Sequence, residues 1–329
     1  MNFGATILDA DGLRLTSDEI AFFRDVLPFG FILFARNIDN PDQVRALCAD
    51  MRNAVGYECP ITIDQEGGRV QRLRAPRWRE WLPPLDFVTA AGDQAERAMY
   101  LRGRVIAHEL RAIGVNSNCA PMVDVACDNS HPFLRNRCYG ADAGTVATLG
   151  RAHAQGMLDG GVLPVVKHIP GHGRATQDSH FDLPIVAAPR ADLDAQDFAP
   201  FKALNDLPMG MTAHLVYDAI DAAPATLSPK VMDVIRTDIG FDGLIMTDDI
   251  SMKALSGSLT DLSRGALDAG CDVILHCNGT LAERMEVAAA AGEMCAQAQR
   301  RAEAALAARH TPDDIDISAA DAELESLLK

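Results

Sequence analysis

Short apolar runs alternate along this chain with longer stretches in which apolar residues recur at helical spacing. The short runs predict eight β-strands, at Ala5–Leu8, Gly30–Phe34, Ile61–Ile63, Val115–Asn118, Val162–Val166, Met209–Ala213, Leu244–Thr247 and Val273–His276. The longer stretches predict helices at Ser17–Val26, Pro41–Val55, Asp93–Ile113, Ala143–Asp159, Arg190–Asn205, Ser228–Ile239, Leu262–Ala269 and Leu281–Ala308. Thr16 before the first helix is a start signal, and Gly240 and Gly270 stand where helix ends need a left-handed residue.

Eight strands that alternate with helices, and that are too apolar to face water, predict a (β/α)₈ TIM barrel. A doubly wound open sheet is the structural alternative. The G-x-G-x-x-G fingerprint of dinucleotide-binding sheets does not follow the first strand, however. The pair Gly67-Gly68 follows the third strand and lacks that spacing. We therefore favour the barrel and expect no dinucleotide.

The chain has 329 residues, which fits one large barrel or two ordinary domains. No internal repeat, low-complexity linker or change of composition divides it. We therefore expect a single domain over residues 1–329. The acidic tail, about residues 310–329, is expected to form a capping helix.

The composition narrows the class of function. The formal net charge is −16, which disfavours nucleic acid and anionic membrane surfaces as partners. There is no apolar run of 18 residues, and the first 11 residues do not resemble a secretory signal. The eight cysteines show no metal-ligand spacing, and several lie inside apolar runs, which indicates free thiols in a reducing cytoplasm.

Polar residues cluster where five of the predicted strands end. Because the active sites of such barrels lie at the carboxyl ends of the strands, this clustering predicts the position of the site. The residues concerned are Asp64 after strand 3, Asp124 and Arg137 after strand 4, Lys167 and His168 at strand 5, His214 after strand 6, and Asp248 and Asp249 after strand 7.

The richest stretch runs from Val165 to His180 and contains Lys167-His168-Ile169-Pro170-Gly171-His172-Gly173 and then Asp178-Ser179-His180. Asp178 stands two residues before His180, so its carboxylate can orient the ring, and an oriented imidazole transfers protons near neutral pH. The alternative is a solvated polar loop. Lys167 ends a buried strand and so needs partners, which are either ligand oxygens or an internal ion pair.

Two carboxylates at other strand ends are further candidates. Asp248 can act as a nucleophile, an electrostatic stabiliser or a metal ligand. The alternative is an N-cap for the next helix, and Asp249 could be that cap. Asp64 and Arg72 flank the Gly-Gly turn and can bind sugar hydroxyls, or can simply form an internal ion pair. Arg137 lies in a long loop, where a solvated surface charge is the competing interpretation.

A metal-dependent hydrolase stays open as an alternative. The side chains that could supply ligands are His168, His172, His180, His214 and Asp248. No His-x-His pair follows the first strand, where Asp9-Ala10-Asp11-Gly12 stands instead, so the metal signal is weak. His276 ends the eighth strand and could line the pocket, without further support for a role.

Taken together, three motifs resemble those of the glycoside hydrolase family 3 β-N-acetylglucosaminidases, in order and spacing, over about Gly4 to His276. They are the Lys167–Gly173 segment with Asp178-Ser179-His180, the segment Ile61–Arg72, and Thr247-Asp248-Asp249-Ile250-Ser251-Met252. The loop Arg135-Asn136-Arg137-Cys138-Tyr139 also resembles a loop of this family. The resemblance implies a barrel without the second domain that many family 3 β-glucosidases carry.

The resemblance also implies roles for individual residues. Asp248 would be the nucleophile, His180 the proton donor and acceptor, and Asp178 the group that orients His180. The residues that would bind the terminal sugar are Asp64, Arg72, Arg137, Lys167 and His168. The reaction would be retaining hydrolysis of terminal β-linked N-acetylglucosamine, with no cofactor and no metal.

The implied substrates are small muropeptides of peptidoglycan recycling, namely N-acetylglucosaminyl-anhydro-N-acetylmuramic acid and its peptides. We expect a cytoplasmic monomer with no nucleic-acid or membrane partner. Two alternatives stay open. A neutral His180 would tolerate phosphate as the acceptor, so a phosphorylase is possible. A non-catalytic sugar sensor could keep Asp64, Arg72 and Lys167 but would not need both Asp248 and His180.

Overall fold

The computed structural model describes residues 2–177 and 182–328 and has an α/β fold. Its eight principal strands are β1 (Gly4–Leu8), β2 (Pro28–Leu33), β3 (Ile61–Ile63), β4 (Ser117–Asn118), β5 (Leu163–Ile169), β6 (Met209–Thr212), β7 (Leu244–Met246) and β8 (Ile274–His276). They form two parallel four-stranded sheets, in the orders β8-β1-β2-β3 and β7-β6-β5-β4. Each predicted strand overlaps one of these eight.

Backbone hydrogen bonds connect the two sheets at both seams. Between β3 and β4, the Asn116 amide donates to the Ile61 carbonyl at 3.1 Å. After β7, the Thr247 amide donates to the Val273 carbonyl, also at 3.1 Å. Every residue of β1 and of β5 is buried, as expected for parallel strands covered by helices.

Helices follow most of the strands. The α-helices are α1 (Ser17–Val26), α2 (Pro41–Val55), α3 (Pro84–Ala91), α4 (Ala95–Ala112), α5 (Pro132–Arg135), α6 (Ala143–Asp159), α7 (Arg190–Asp192), α8 (Ala199–Ala203), α9 (Pro229–Asp233), α10 (Leu259–Ala269), α11 (Leu281–Ala291), α12 (Ala296–Ala307) and α13 (Ile317–Leu327). Short 3₁₀ turns lie at Ala35–Asn37, Gly92–Gln94 and Ala225–Leu227, and π turns at Leu193–Asp197 and Val234–Asp238. Two short strand pairs, Gln65–Gly67 with Val70–Gln71 and Ile185–Val186 with Val216–Tyr217, lie outside the two sheets.

The chemistry of the helix ends agrees with the sequence signals. Thr16 caps α1, because its hydroxyl accepts the amide of Glu19 at 3.2 Å. Gly240 and Gly270 adopt the positive φ angles of 78° and 116°. Helix α10 begins three residues earlier than predicted, since Ser258 supplies the cap by accepting the Asp261 amide at 3.1 Å.

The single long helix predicted over Leu281–Ala308 is wrong. The chain leaves the helix at Gly292, whose φ of 63° suits glycine, and pairs with the start of β1 before α12 begins. The Gly292 carbonyl accepts the Ala5 amide at 2.9 Å, and the Met294 amide donates to the Phe3 carbonyl at 2.9 Å. The break therefore satisfies backbone groups at the beginning of β1 that a continuous helix would leave unpaired.

The predicted helix Arg190–Asn205 is also interrupted. It consists of α7, a π turn at Leu193–Asp197, and α8, in which Pro200 stands in the first turn. Proline has no amide to donate, and the wider turn before it gives the backbone a way to accommodate this loss. The predicted helix Ser228–Ile239 is α-helical only over α9 and continues as the second π turn.

Near its end the chain forms α13, which packs against α4. Leu324 of α13 is fully buried, and Glu323 accepts two hydrogen bonds from Arg97 of α4, at 2.7 and 2.9 Å. Among the described residues, no helix has both the length and the hydrophobicity needed to cross a membrane.

Candidate active site

A cavity of about 340 Å³ lies where several strands end, and the side chains that follow β3, β5 and β7 line it. Asp64 follows β3, Lys167 and His168 belong to the last part of β5, and Asp248 stands two residues beyond β7. Most of the polar residues predicted at the strand ends therefore converge, whereas Asp124 and His214 are not among the described residues that line the cavity. Arg72, Arg137 and His172 line the same cavity, together with the apolar side chains Ile32, Phe34, Met211 and Leu275.

Lys167 is the central cation of the site. It is only 2% exposed, and its ammonium group lies 2.9 Å from an Asp64 oxygen and 2.6 Å from a Glu66 oxygen. Burial opposes its charge, but the two carboxylates outweigh burial and hold the pKa of Lys167 above its ordinary value. The internal ion pair is therefore confirmed. Lys167 also lines the cavity, and its contact with ligand oxygens stays a prediction.

Two arginines extend this network. Arg72 donates to Asp64 at 2.8 Å, which shows the internal ion pair that the sequence left open. Arg137 makes a bidentate contact with Glu66, at 3.0 and 2.8 Å, and is only 6% exposed. The interpretation of Arg137 as a solvated surface charge is wrong. Carboxylate and guanidinium groups paired in this way hold each other in fixed positions.

Electrostatics keeps both carboxylates of this network ionised. Burial would raise the pKa of Glu66, but Arg137 and Lys167 outweigh it and lower that pKa to about 2. Burial acts in the same direction on Asp64, where Lys167 and Arg72 lower the pKa below its ordinary range. Each carboxylate therefore acts only as a hydrogen-bond acceptor at neutral pH.

His168 is held by a buried carboxylate on the other side of the cavity. Its Nδ1 lies 2.7 Å from an oxygen of Asp124, which is fully buried. Asp124 also accepts the backbone amide of His172 at 2.6 Å. Burial would raise the pKa of Asp124, but His168, followed by His172, lowers it. Asp124 thus fixes the ring of His168 and the beginning of the glycine-rich loop together.

The glycine-rich loop after β5 packs tightly against its neighbours. A Cβ atom on Gly173 would collide with the backbone of Val125, and one on Gly171 would meet the backbone of Asp197 at 2.9 Å. Gly171 also has a φ of 144°, and its carbonyl accepts a hydrogen bond from Tyr217. Glycine is therefore required at both positions, because the loop backbone packs directly against neighbouring backbone and leaves no room for a Cβ atom.

Asp248 is partly exposed to the cavity, and its carboxylate accepts the backbone amide of Asp249 at 2.8 Å. Burial would raise the pKa of Asp248, but His214, His168 and the Asp249 amide lower it below its ordinary value. His214 contacts this segment through its Nε2, 3.0 Å from the Asp249 carbonyl. His214 thus supports the backbone beside Asp248. Asp249 does not cap a helix but accepts the amide of Ser251 at 3.1 Å within a turn.

Not every candidate lies in the cavity. Asp178 and His180, the predicted proton-transfer pair, lie outside the described residues. His276 is buried and is not among the described residues that line the cavity, although its neighbours Leu275 and Cys277 are. In the described ranges 2–177 and 182–328, no three His, Cys, Asp or Glu side chains are placed to hold a metal ion.

Sequence reasoning gave no role to two residues that the structure places at the centre of the site. Glu66 joins Arg137 to Lys167, and Asp124 holds His168. Asp124 was already selected for its position after strand 4, but without a role. Glu66 lies within the Asp64–Arg72 segment, and its position near the end of β3 is the signal that could have identified it.

A small cavity with ionised carboxylates at strand ends and fixed hydrogen-bonding groups is typical of an enzyme that acts on a polar small molecule. Comparison with known proteins identifies the class. Residues 17–307 match the model of the glycosyl hydrolase family 3 N-terminal domain. The chain therefore belongs to glycosyl hydrolase family 3 and is a glycosidase.

Individual relatives are similar over most of their length. A β-hexosaminidase of Bordetella avium is 38% identical over 287 residues, which cover 84% of this chain and 81% of that protein. The solved structure of NagZ from Neisseria gonorrhoeae in complex with N-trifluoroacetyl-D-glucosamine has a TM-score of 0.81 at 29% identity, and the match covers 100% of this chain and 99% of that one. A family 3 β-N-acetylglucosaminidase from Paenibacillus has a TM-score of 0.85 at 31% identity, over 98% of this chain and 66% of that one.

Proposed function

We propose that this protein is a retaining β-N-acetylglucosaminidase that removes a terminal, non-reducing, β-linked N-acetylglucosamine. The observation that carries the proposal is that the ionised carboxylate of Asp248 lines one cavity with the Asp64–Lys167 pair and His168. A nucleophile and a set of sugar-binding groups are thereby available to one bound sugar. The relatives named β-hexosaminidase and β-N-acetylglucosaminidase support the same activity.

The proposed mechanism has two steps. Asp248 attacks the anomeric carbon and forms a covalent glycosyl-enzyme, while His180, oriented by Asp178, protonates the departing glycosidic oxygen. His180 then removes a proton from water, which attacks the same carbon and releases the sugar with its configuration retained. A histidine suits this role because its protonated ring donates the proton and the neutral ring that remains does not repel an anionic Asp248 as a second carboxylate would.

Binding of the terminal sugar is assigned to Asp64, Arg72, Arg137, Lys167 and His168. Asp64 can accept hydrogen bonds from sugar hydroxyls, while Lys167 and Arg72 donate to sugar oxygens and hold Asp64 in place. Arg137 contacts Glu66 through its Nε and Nη2 and so contributes to binding mainly by fixing that carboxylate. Preorganised groups of this kind lose little entropy when the sugar binds.

We also propose that the two sheets close into one (β/α)₈ barrel within a single domain, 1–329. The hydrogen bonds between β3 and β4, and between β7 and β8, support closure. Muropeptides of peptidoglycan recycling are the proposed substrates, and a cytoplasmic monomer is the proposed form. The eight cysteines, all free, support a reducing compartment.

The first test compares chromogenic β-N-acetylglucosaminide with the corresponding β-glucoside. Turnover of the first in preference to the second is expected, and a protein that binds N-acetylglucosamine without turnover would be a sensor instead. A second assay compares water with inorganic phosphate as the acceptor. Formation of a glycosyl phosphate at a rate that exceeds hydrolysis would replace the hydrolase with a phosphorylase.

The nucleophile is tested by labelling and substitution. A 2-deoxy-2-fluoro or 5-fluoro glycosyl inactivator should label Asp248, as identified by peptide mass spectrometry. Asp248→Ala should abolish turnover, whereas the neighbouring variant Asp249→Asn, which keeps an acceptor oxygen for its turn, should retain most of it. Labelling of any other residue would contradict the assignment.

The acid role of His180 is tested by leaving-group dependence. His180→Ala should slow the glycosylation step strongly for poor leaving groups and only weakly for good ones, because good leaving groups need no proton. Asp178→Asn should show a weaker form of the same pattern. Equal losses on both substrates would be inconsistent with proton donation by His180.

A further inference from the structure

His172 lies in the active-site cavity and has no function in the mechanism described above. The residue is 3% exposed, and its side chain is among those that line the cavity. Neither Nδ1 nor Nε2 of its ring has a hydrogen-bond partner within the described part of the chain. A buried polar group without a partner destabilises the protein, so buried polar atoms usually have one.

The position of the ring does not result from a loose loop. The His172 backbone amide donates to Asp124 at 2.6 Å. On either side, Gly171 and Gly173 pack closely against the backbone of Asp197 and Val125, respectively. The ring centroid is 5.5 Å from that of His168, which is itself held by Asp124. The chain thus holds two imidazoles side by side in the cavity, and the described residues provide a partner for only one of them.

The chemistry of the ring also separates it from its neighbours. Burial, reinforced by His168, lowers the pKa of His172 to about 3, against the opposing effects of Asp124 and Asp248. At neutral pH the ring is therefore uncharged and offers one donor and one acceptor. Lys167, Arg72 and Arg137 already contact carboxylates, whereas neither nitrogen of His172 has a hydrogen-bond partner among the described residues.

We propose that His172 is a sugar-binding residue whose ring forms a hydrogen bond with an oxygen of the terminal sugar, either a hydroxyl or the acetamide oxygen. An uncharged group with one donor and one acceptor matches a neutral sugar, whose hydroxyls also donate and accept. The proposal rests on the sugar-binding function assigned to this cavity, and it gives that function a contact outside the ionic network.

The decisive measurement uses the wild-type protein. Histidine ring nitrogens are observed by ¹⁵N NMR during titration with N-acetyl-D-glucosamine, and the His172 signals are assigned by their loss in His172→Gln. We expect the signals to be those of a neutral ring and to shift when the sugar binds. Signals that stay unchanged while the sugar saturates the protein would overturn the proposal.

Affinity measurements give an independent readout. His172→Phe keeps the ring but removes both nitrogens, and it should weaken N-acetyl-D-glucosamine binding by about tenfold while the melting temperature stays within about 2 °C of wild type. The matched control is His108→Phe, at an exposed position on α4, which should leave affinity unchanged. Unchanged affinity in His172→Phe, whatever its melting temperature, would refute the contact.

Two further comparisons separate the remaining cases. If His172 contacts the acetamide, His172→Phe should weaken N-acetyl-D-glucosamine but not glucose, and if it contacts a hydroxyl, both should weaken; either result supports the proposal. Failure of the proposed function is distinct from failure of this inference. In the first case the wild type does not turn over β-N-acetylglucosaminides, and in the second it does so without any response from the His172 ring.

Discussion

Glu66 should be the most important single carboxylate for stability in the active site. It is 4% exposed and lies between Arg137, at 3.0 and 2.8 Å, and Lys167, at 2.6 Å. Glu66→Gln removes the charge while it keeps the shape of the side chain. Arg137 then loses its anionic partner, and Lys167 keeps only Asp64. Removing one partner of a buried ion pair typically costs about 3–5 kcal/mol.

The pKa of Glu66 gives a second route to this magnitude. The folded protein lowers that pKa from 4.5 to about 2, and each unit is worth about 1.4 kcal/mol, so the ionised form contributes about 3 kcal/mol. Because the folded value lies below the unfolded value, the contribution is fully present above about pH 4.5 and is lost as the pH falls towards 2. The loss of the buried ion pair and the pKa shift therefore both indicate a contribution of about 3 kcal/mol to the unfolding free energy.

The assay is urea unfolding of wild type and Glu66→Gln, followed by circular dichroism. At pH 7 the variant should lose about 3 kcal/mol of unfolding free energy. Between pH 6 and pH 3 the difference between the two proteins should narrow by about 2 kcal/mol, since ionised Glu66 then loses its advantage. The matched control is Glu323→Gln, which breaks the two hydrogen bonds to Arg97 at a site where Glu323 is 42% exposed.

An exposed pair of this kind is worth about 0–1 kcal/mol, so the control should change little. The reasoning is refuted if Glu66→Gln and Glu323→Gln destabilise the protein equally at pH 7. It is also refuted if the difference between wild type and Glu66→Gln does not depend on pH below 4.5.

Three further outcomes are expected. Asp124→Asn should raise KM for the chromogenic substrate about tenfold, because the Nδ1 of His168 loses its carboxylate partner at 2.7 Å; an unchanged KM would contradict the role given to Asp124. Leu324→Ala on α13 should lower the unfolding free energy by about 3 kcal/mol in urea titrations without a change in kcat/KM, because Leu324 is fully buried far along the chain from the site. Dialysis against a chelator should leave activity intact, and a loss that zinc restores would favour the metal-dependent alternative.

The parts of the fold that the sequence predicts well are those governed by local pattern. Most of the strands are apolar runs because they are buried; the exception is β4, which consists of Ser117 and Asn118. The overlap of the predictions with the observed strands reflects this burial. The polar residues that end β3, β5 and β7 were identifiable for the same reason, since Asp64, Lys167 and Asp248 each interrupt such a run.

What the sequence did not predict depends on partners far along the chain. Glu66 was not recognised because Arg137 lies 71 residues away, and Asp124 was placed at the site without a role because His168 lies 44 residues away. The break at Gly292 has the same origin, because the strand start that it pairs with is at the other end of the chain. Local spacing carries no information about such contacts. An alanine-rich pattern therefore predicts a continuous helix even where pairing with a distant strand interrupts it.

The structure also explains why two carboxylates in one cavity are assigned different tasks. Asp64 contacts Lys167 and Arg72, so its negative charge is largely compensated and its oxygens are held as acceptors. Within the described residues, the carboxylate of Asp248 accepts one hydrogen bond, from the Asp249 amide, and no arginine or lysine forms an ion pair with it. Against the effect of burial, its pKa is lowered by His214 and His168, and by the Asp249 amide, rather than by a direct ion pair. A carboxylate compensated by direct ion pairs is a poor nucleophile, whereas one that is ionised and uncommitted can form a bond to carbon. The environment of each group, rather than its residue type, therefore supports the two proposed roles, sugar binding for Asp64 and nucleophilic attack for Asp248.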